Sequence, residues 1–280
     1  MKILKLIYEN EVEVKEISVL KSLFIIIMFT LIPGIINFLS TFIMILIDEN
    51  ISIGSVMIIA GIILIPVHMI IIIMVGKKYT QKDIIKINDK KVKINNKDFL
   101  YVFLIIIGYI LIREAILFDV LSQFEGPISE DDIDFFIDNA ETIEVVIFGF
   151  LMYFQTLITA PIFEELLFRG IILNGLLNKY KNSSKKAIIY SAMVFGLVHL
   201  NIPQGINAFI GGIILGFIYC YTKSMKLSIF AHFINNLITF VPVPESLIFK
   251  FIYIVIGTYV IMKGIKYIRN TKLINISETN

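Results

Sequence analysis

The order of apolar and polar residues divides the chain into long hydrophobic stretches separated by short charged clusters. Stretches at about 19–47, 51–75, 99–121, 143–177, 187–200, 205–222, 227–241 and 248–262 are each read as a membrane-crossing helix. Three of these are short. The pattern therefore predicts an all-α, polytopic transmembrane helix bundle of about eight spans. Pro33 and Gly34 in the first stretch read as a kink that a bundle tolerates. Gly212 and Gly216 in the sixth have the small-xxx-small spacing that lets helices approach closely.

Composition agrees with the pattern. The 280 residues are 57% hydrophobic with a mean hydropathy of +0.85, above the ~45–50% apolar content of a soluble domain. The net charge of +2 gives no reason to expect nucleic acid as a partner; the partner implied is the lipid bilayer. The single cysteine, Cys220, lies in an apolar stretch and reads as a packing residue rather than a nucleophile or half of a disulfide. The stretch from Val19 is too long for a signal-peptide core and has no small-residue cleavage site, so it is expected to remain as a span.

The charged clusters orient the bundle. Lys77, Lys78, Lys82, Lys86, Lys90, Lys91, Lys93 and Lys97 share one loop, which the positive-inside rule assigns to the cytoplasm. Alternate loops then fall on the same side with Lys179, Lys181, Lys185 and Lys186, with Lys223 and Lys226, and with the tail residues Lys263, Lys266, Arg269 and Lys272. The intervening loops are poor in basic residues, and one is acidic: Glu125, Glu130, Asp131, Asp132, Asp134, Asp138 and Glu141. That loop lacks the glycine-turned spacing of an EF-hand and reads as solvated outer surface. The expected placement is a multi-pass cell-membrane protein with both termini cytoplasmic. By organisation, 1–142 forms N-terminal spans, 143–240 a core, and 241–280 a last span with a basic tail.

Ionisable groups inside a bilayer are costly, so each is a candidate for function. The fourth stretch holds Glu164-Glu165-Leu166-Leu167-Phe168-Arg169, the fifth Phe195-Gly196-Leu197-Val198-His199, and the seventh His232-Phe233-Ile234-Asn235-Asn236. Glu165 and Arg169 lie four apart on one helical face with the acid first, the favourable order for an ion pair, which leaves Glu164 less neutralised. His232 and Asn236 are also four apart and can face one pocket, with Asn235 a weaker competitor. Counting from the flanking lysines puts Glu164 and His199 about 20 Å along their helices and His232 about 9 Å along its own, a cluster leaning toward the cytoplasmic side.

This set allows activation of water by a carboxylate, proton sharing with a histidine, and stabilisation of an oxyanion by a second histidine and an asparagine amide. No cofactor is required for that chemistry. Glu164, His199 and His232 could instead hold a divalent metal such as zinc, although no His-Glu-x-x-His sequence is present. His68, after Pro66, reads as a structural histidine. Arg113 and Glu114 are sequence neighbours that should not face each other, and read as interhelical pairs or snorkelling groups.

The ordered motifs Glu164-Glu165-x-x-x-Arg169, Phe195-x-x-x-His199 and His232-x-x-x-Asn236 resemble those of the CPBP (Abi) family, which includes the CAAX prenyl endopeptidases and bacteriocin-processing or self-immunity proteins. The resemblance covers about 143–240. It implies an intramembrane endopeptidase acting on a membrane-embedded or lipidated protein or peptide. Glu164 would be the water-activating carboxylate and His199 its partner. His232 and Asn236 would stabilise the oxyanion, with Glu165, Arg169 and Phe195 in support. The alternative reading is a non-catalytic membrane protein for immunity or transporter assistance.

Overall fold

The structure is a computed structural model that describes residues 1–81, 93–124, 140–241, 243–244 and 246–277, with side chains up to Thr271. Lys82, Lys86, Lys90, Lys91, the acidic residues from Glu125 to Asp138 and the Lys272 side chain, on which part of the charge argument rests, lie outside the described residues.

The chain is a helix bundle and a multi-pass membrane protein, and among the described residues every regular element is helical. The helices are α1 (Lys2–Tyr8), α2 (Val19–Ile47), α3 (Ile53–Tyr79), α4 (Asn96–Ile116), α5 (Thr142–Lys179), α6 (Ser184–Leu197), α7 (Ile202–Thr222), α8 (Met225–Ile238) and α9 (Leu247–Ser277). Six of them, α2, α3, α4, α5, α7 and α9, are long and apolar enough to cross a bilayer. The other two expected spans are α6 and α8, each 14 residues. At 1.5 Å per residue each covers about 21 Å of an apolar layer about 30 Å thick. The span read at 99–121 ends its helix at Ile116 and continues as a separate short turn, Phe118–Leu121. The outer surface is apolar, with Leu31, Phe38, Ile47, Phe150, Ile248 and Phe251 all exposed, as suits helices solvated by lipid.

Close helix crossings set the core. A Cβ on Gly212 would lie 3.1 Å from the Ala192 backbone, and one on Gly216 would lie 3.1 Å from Ile188, so the small-residue pattern does seat α7 on α6. Gly108 of α4 and Gly257 of α9 meet backbone to backbone, where a Cβ on Gly108 would sit 2.6 Å from the Gly257 carbonyl. Cys220 is packed against the main apolar cluster, as expected.

The N-terminal segment is an element the hydropathy pattern did not reveal. α1 and the strand-like stretch after it bury Ile7, Val14 and Ile17 against the bundle. The backbone of Lys15 donates to the Tyr79 carbonyl at 2.8 Å, that of Ile17 to Gly175 at 3.0 Å, and Asn178 caps the Val14 carbonyl at 2.6 Å. These bonds tie residues 1–18 across the ends of α3 and α5 where Lys77, Lys78 and Lys179 lie. Tags placed after Lys77 and between Lys179 and Lys186 should be labelled from the cytoplasm alone, and labelling of either from outside would invert the assigned topology.

Candidate active site

α5 carries the two glutamates on an interrupted helix. Its Ala160–Leu167 segment is flanked by wider π-type turns at Gln155–Thr159 and Phe168–Leu173. Pro161 has no N–H to give to the preceding turn, which accounts for the first of these, and such bulges recur at functional sites. Helix α8 brings its histidine to the same level from the other side.

Glu165 and Arg169 form the pair that their spacing suggests. Arg169 Nη1 lies 2.9 Å from Glu165 Oε1, with the two side chains 1% and 0% exposed. This is a charge contact rather than an aligned hydrogen bond, since Arg169 Nη1 and Nε and Glu165 Oε2 have no hydrogen-bond partner among the described residues. Arg169 also donates through Nη2 to the Gly212 carbonyl at 3.3 Å, and its guanidinium carbon sits 4.7 Å from the centre of the Phe195 ring. Phe195 in turn packs on Phe168 (4.8 Å), His199 (5.4 Å) and His232 (5.8 Å). One ring thus touches three of the polar residues.

The bond that sequence reasoning missed joins α5 to α8. His232 Nδ1 donates to Glu165 Oε1 at 3.0 Å, and its Nε2 is turned toward Glu164 Oε2 at 3.8 Å. Glu165 therefore steadies a histidine as well as an arginine. It fixes the ring so that the opposite nitrogen faces the second carboxylate, and a water beside the pair could touch both. The histidine in ion-pair reach of Glu164 is His232, where the motif resemblance would have paired Glu164 with His199.

His199, His232, Asn235 and Asn236 line one cavity of about 300 Å³, whose walls also include Thr156 of α5 and Tyr109 and Asn207. The Asn236 amide is held at both ends: Nδ2 donates to the Thr156 carbonyl at 2.9 Å, and Oδ1 accepts from Asn235 at 3.2 Å. Its second N–H remains for a ligand oxygen. Glu164 borders a smaller cavity of about 110 Å³ on the far side, shared with Gln155, Thr159 and His68. His68 donates from Nδ1 to the Leu64 carbonyl at 2.9 Å and packs 4.7 Å from the Phe29 ring, so its ring is held within its own helix and against α2.

Two expectations are corrected by this geometry. Arg113 and Glu114 do pair with each other: Arg113 Nε donates to Glu114 Oε1 at 2.8 Å, and Nη2 closes on the same oxygen. Long side chains at the end of α4 can curl together at a cavity wall even though their Cα positions diverge. The cluster also does not lean toward the lysine-rich end. Its cavity is walled by Gln204 and Asn207 near the start of α7 and by Thr239 past the end of α8, the ends away from Lys223 and Lys226. The count from Lys226 misled because α8 is so short that His232 lies halfway along it.

Among the described residues no three His, Cys, Asp or Glu side chains stand together closely enough to hold a metal ion. Glu164, His199 and His232, the set considered for zinc, do not form such a group in this arrangement.

Residues 146–238, which contain every motif residue named above, match the family model of the Rce1-like type II CAAX prenyl endopeptidases. The family resemblance read from the motifs is borne out over that third of the chain. A Bacillus subtilis (strain 168) protein described as "Putative membrane peptidase YdiL" is 34% identical over 95 residues, 34% of this chain and 37% of the relative. The chain thus spans little more than a third of that relative's length. No solved structure matches the chain.

Proposed function

We propose that the Rce1-like segment is the catalytic core of an intramembrane endopeptidase that hydrolyses a peptide bond in a membrane-associated protein or peptide. The observation that carries the reading is the Glu164–His232–Glu165 arrangement. One carboxylate fixes the imidazole and the other faces its free nitrogen, beside a cavity with an oriented asparagine amide. Glu164 takes a proton from a water held beside it and His232 Nε2, and the resulting hydroxide attacks the scissile carbonyl carbon. The carbonyl oxygen gains negative charge and accepts from the Asn236 amide, with His199 a second donor on the same wall. Return of the proton from Glu164, through His232, to the departing amine breaks the C–N bond and completes one hydrolysis. Glu165, Arg169 and Phe195 act by holding His232 in place.

No metal enters this sequence. Purified, chelator-treated protein should cleave single-span peptides, with the new termini identified by mass spectrometry. Loss of cleavage on metal removal, with recovery at stoichiometric zinc, would make Glu164, His199 and His232 ligands. Absence of cleavage under every condition would favour a non-catalytic immunity or transporter-accessory role.

A further inference from the structure

The cavity that holds His199, His232 and Asn236 has a neighbour across Asn207. A second cavity, of about 380 Å³, adjoins it and is bounded by Phe118, Ser122 and Val243 at the end of the bundle away from Lys179, Lys223 and Lys226, where Lys250 is paired with Asp119. The two share Arg113, Asn207 and Thr239 as common wall. At the opposite end the N-terminal strap packs onto α3 and α5, with Ile7 and Ile17 1% and 0% exposed. The second cavity therefore lies between the cavity of the catalytic residues and the lysine-poor face, with Arg113, Asn207 and Thr239 at the junction.

The shared wall is polar in a way the fold does not need. Asn207 Oδ1 is buried with no hydrogen-bond partner among the described residues, an arrangement that costs stability. Its main-chain carbonyl is already satisfied by Tyr109 Oη at 3.0 Å, which anchors this part of α7 to α4 without help from the side chain. Beside it, the Arg113 and Glu114 side chains are 11% and 15% exposed and satisfy each other in part. Arg113 also hydrogen-bonds Tyr109 and still keeps donors, since a guanidinium has five N–H groups and Glu114 occupies two.

We propose that Asn207, Arg113 and Glu114 form a substrate subsite that holds the main chain of an extended peptide segment entering from the lysine-poor face toward His199 and Asn236. The proposal rests on the peptidase reading given above. The ligand class follows from the charges. A lone anion would meet Glu114 and a lone cation would meet Arg113, whereas a neutral peptide unit offers its N–H to Asn207 Oδ1 and its carbonyl to the spare guanidinium donors. A free C-terminal carboxylate is accordingly not what the subsite selects.

The test uses the full-length protein in detergent micelles with a fluorescent single-span peptide, supplied as free acid and as C-terminal amide. Asn207→Leu removes an unpartnered buried acceptor, so its thermal unfolding midpoint should equal or exceed that of wild type, while KM rises about tenfold and kcat stays within about twofold. The same substitution in a Glu164→Gln background should weaken peptide binding, read by anisotropy, by about tenfold. Acid and amide peptides should bind within about twofold of each other. In a Cys220→Ser chain, bound peptide should protect Ser122→Cys at the mouth from a thiol reagent. Unchanged KM and binding in Asn207→Leu, a fall in its stability that parallels its activity, a tenfold preference for the acid, or unprotected Ser122→Cys would each overturn the subsite. If wild type cleaves nothing but Asn207→Leu still weakens binding, the subsite stands and the peptidase reading falls.

Discussion

Glu164→Gln should lower kcat by roughly a thousandfold while leaving the protein folded, in line with the ~10²–10⁴-fold that a positioned general base contributes. The substitution keeps the size of the side chain and removes only its ability to accept the proton. Glu164 can bear the change because the buried charge network does not depend on it: Arg169 is paired with Glu165, and His232 Nδ1 donates to Glu165 as well. Its own side chain is 21% exposed, against 0% for Glu165, so the amide is not forced into a fully dry site. His232→Ala should also reduce kcat strongly, but with some loss of stability, because it leaves Glu165 with one partner fewer. Single-turnover cleavage rates measured beside thermal unfolding separate the two effects. A Glu164→Gln protein that keeps more than about a tenth of the wild-type rate would remove Glu164 from the role of base.

The second large effect is on folding. Arg169→Ala leaves a carboxylate at 0% exposure without its cation, and breaking one side of a buried pair costs about 3–5 kcal/mol. That is a substantial part of the stability of most domains, so the yield of monodisperse protein and its unfolding midpoint should both fall. Exchanging the two charges, Glu165→Arg with Arg169→Glu, restores the pair but not its surroundings. Position 165 could no longer accept the proton of His232 Nδ1, and position 169 could no longer donate to the Gly212 carbonyl or lie over Phe195. The exchange should therefore recover part of the folded yield and none of the activity. An Arg169→Ala protein as stable and active as wild type would show that the pair is unimportant.

The parts of this site that were legible in the sequence are those set by short-range helical geometry. The Glu165–Arg169 contact follows from a spacing of four residues, and the shared face of His232 and Asn236 from the same rule. The spans were legible because a bilayer requires long apolar runs. The Glu165–His232 bond was not, because its partners are 67 residues apart and nothing local marks which carboxylate a distant histidine will meet. The choice of His232 rather than His199 to face Glu164 depends on how α5 and α8 pack, and π-type turns on either side of the glutamates alter which way their side chains point. The N-terminal strap escaped notice because it buries only scattered apolar residues, Ile7, Val14 and Ile17, which give no periodic signal. The Arg113–Glu114 pair is not legible either, because adjacent positions on a helix diverge and only the length of the two side chains lets them converge at the cavity edge.

The central claim, that this chain hydrolyses a peptide bond with water activated at Glu164, is tested most directly by cleavage in heavy-oxygen water. Wild-type protein reconstituted with a single-span peptide should yield two fragments, with one heavy oxygen in the new C-terminal carboxylate, and Glu164→Gln protein should yield neither fragment. Intact peptide with the wild-type protein, or the same labelled product from the Glu164→Gln protein, would contradict it.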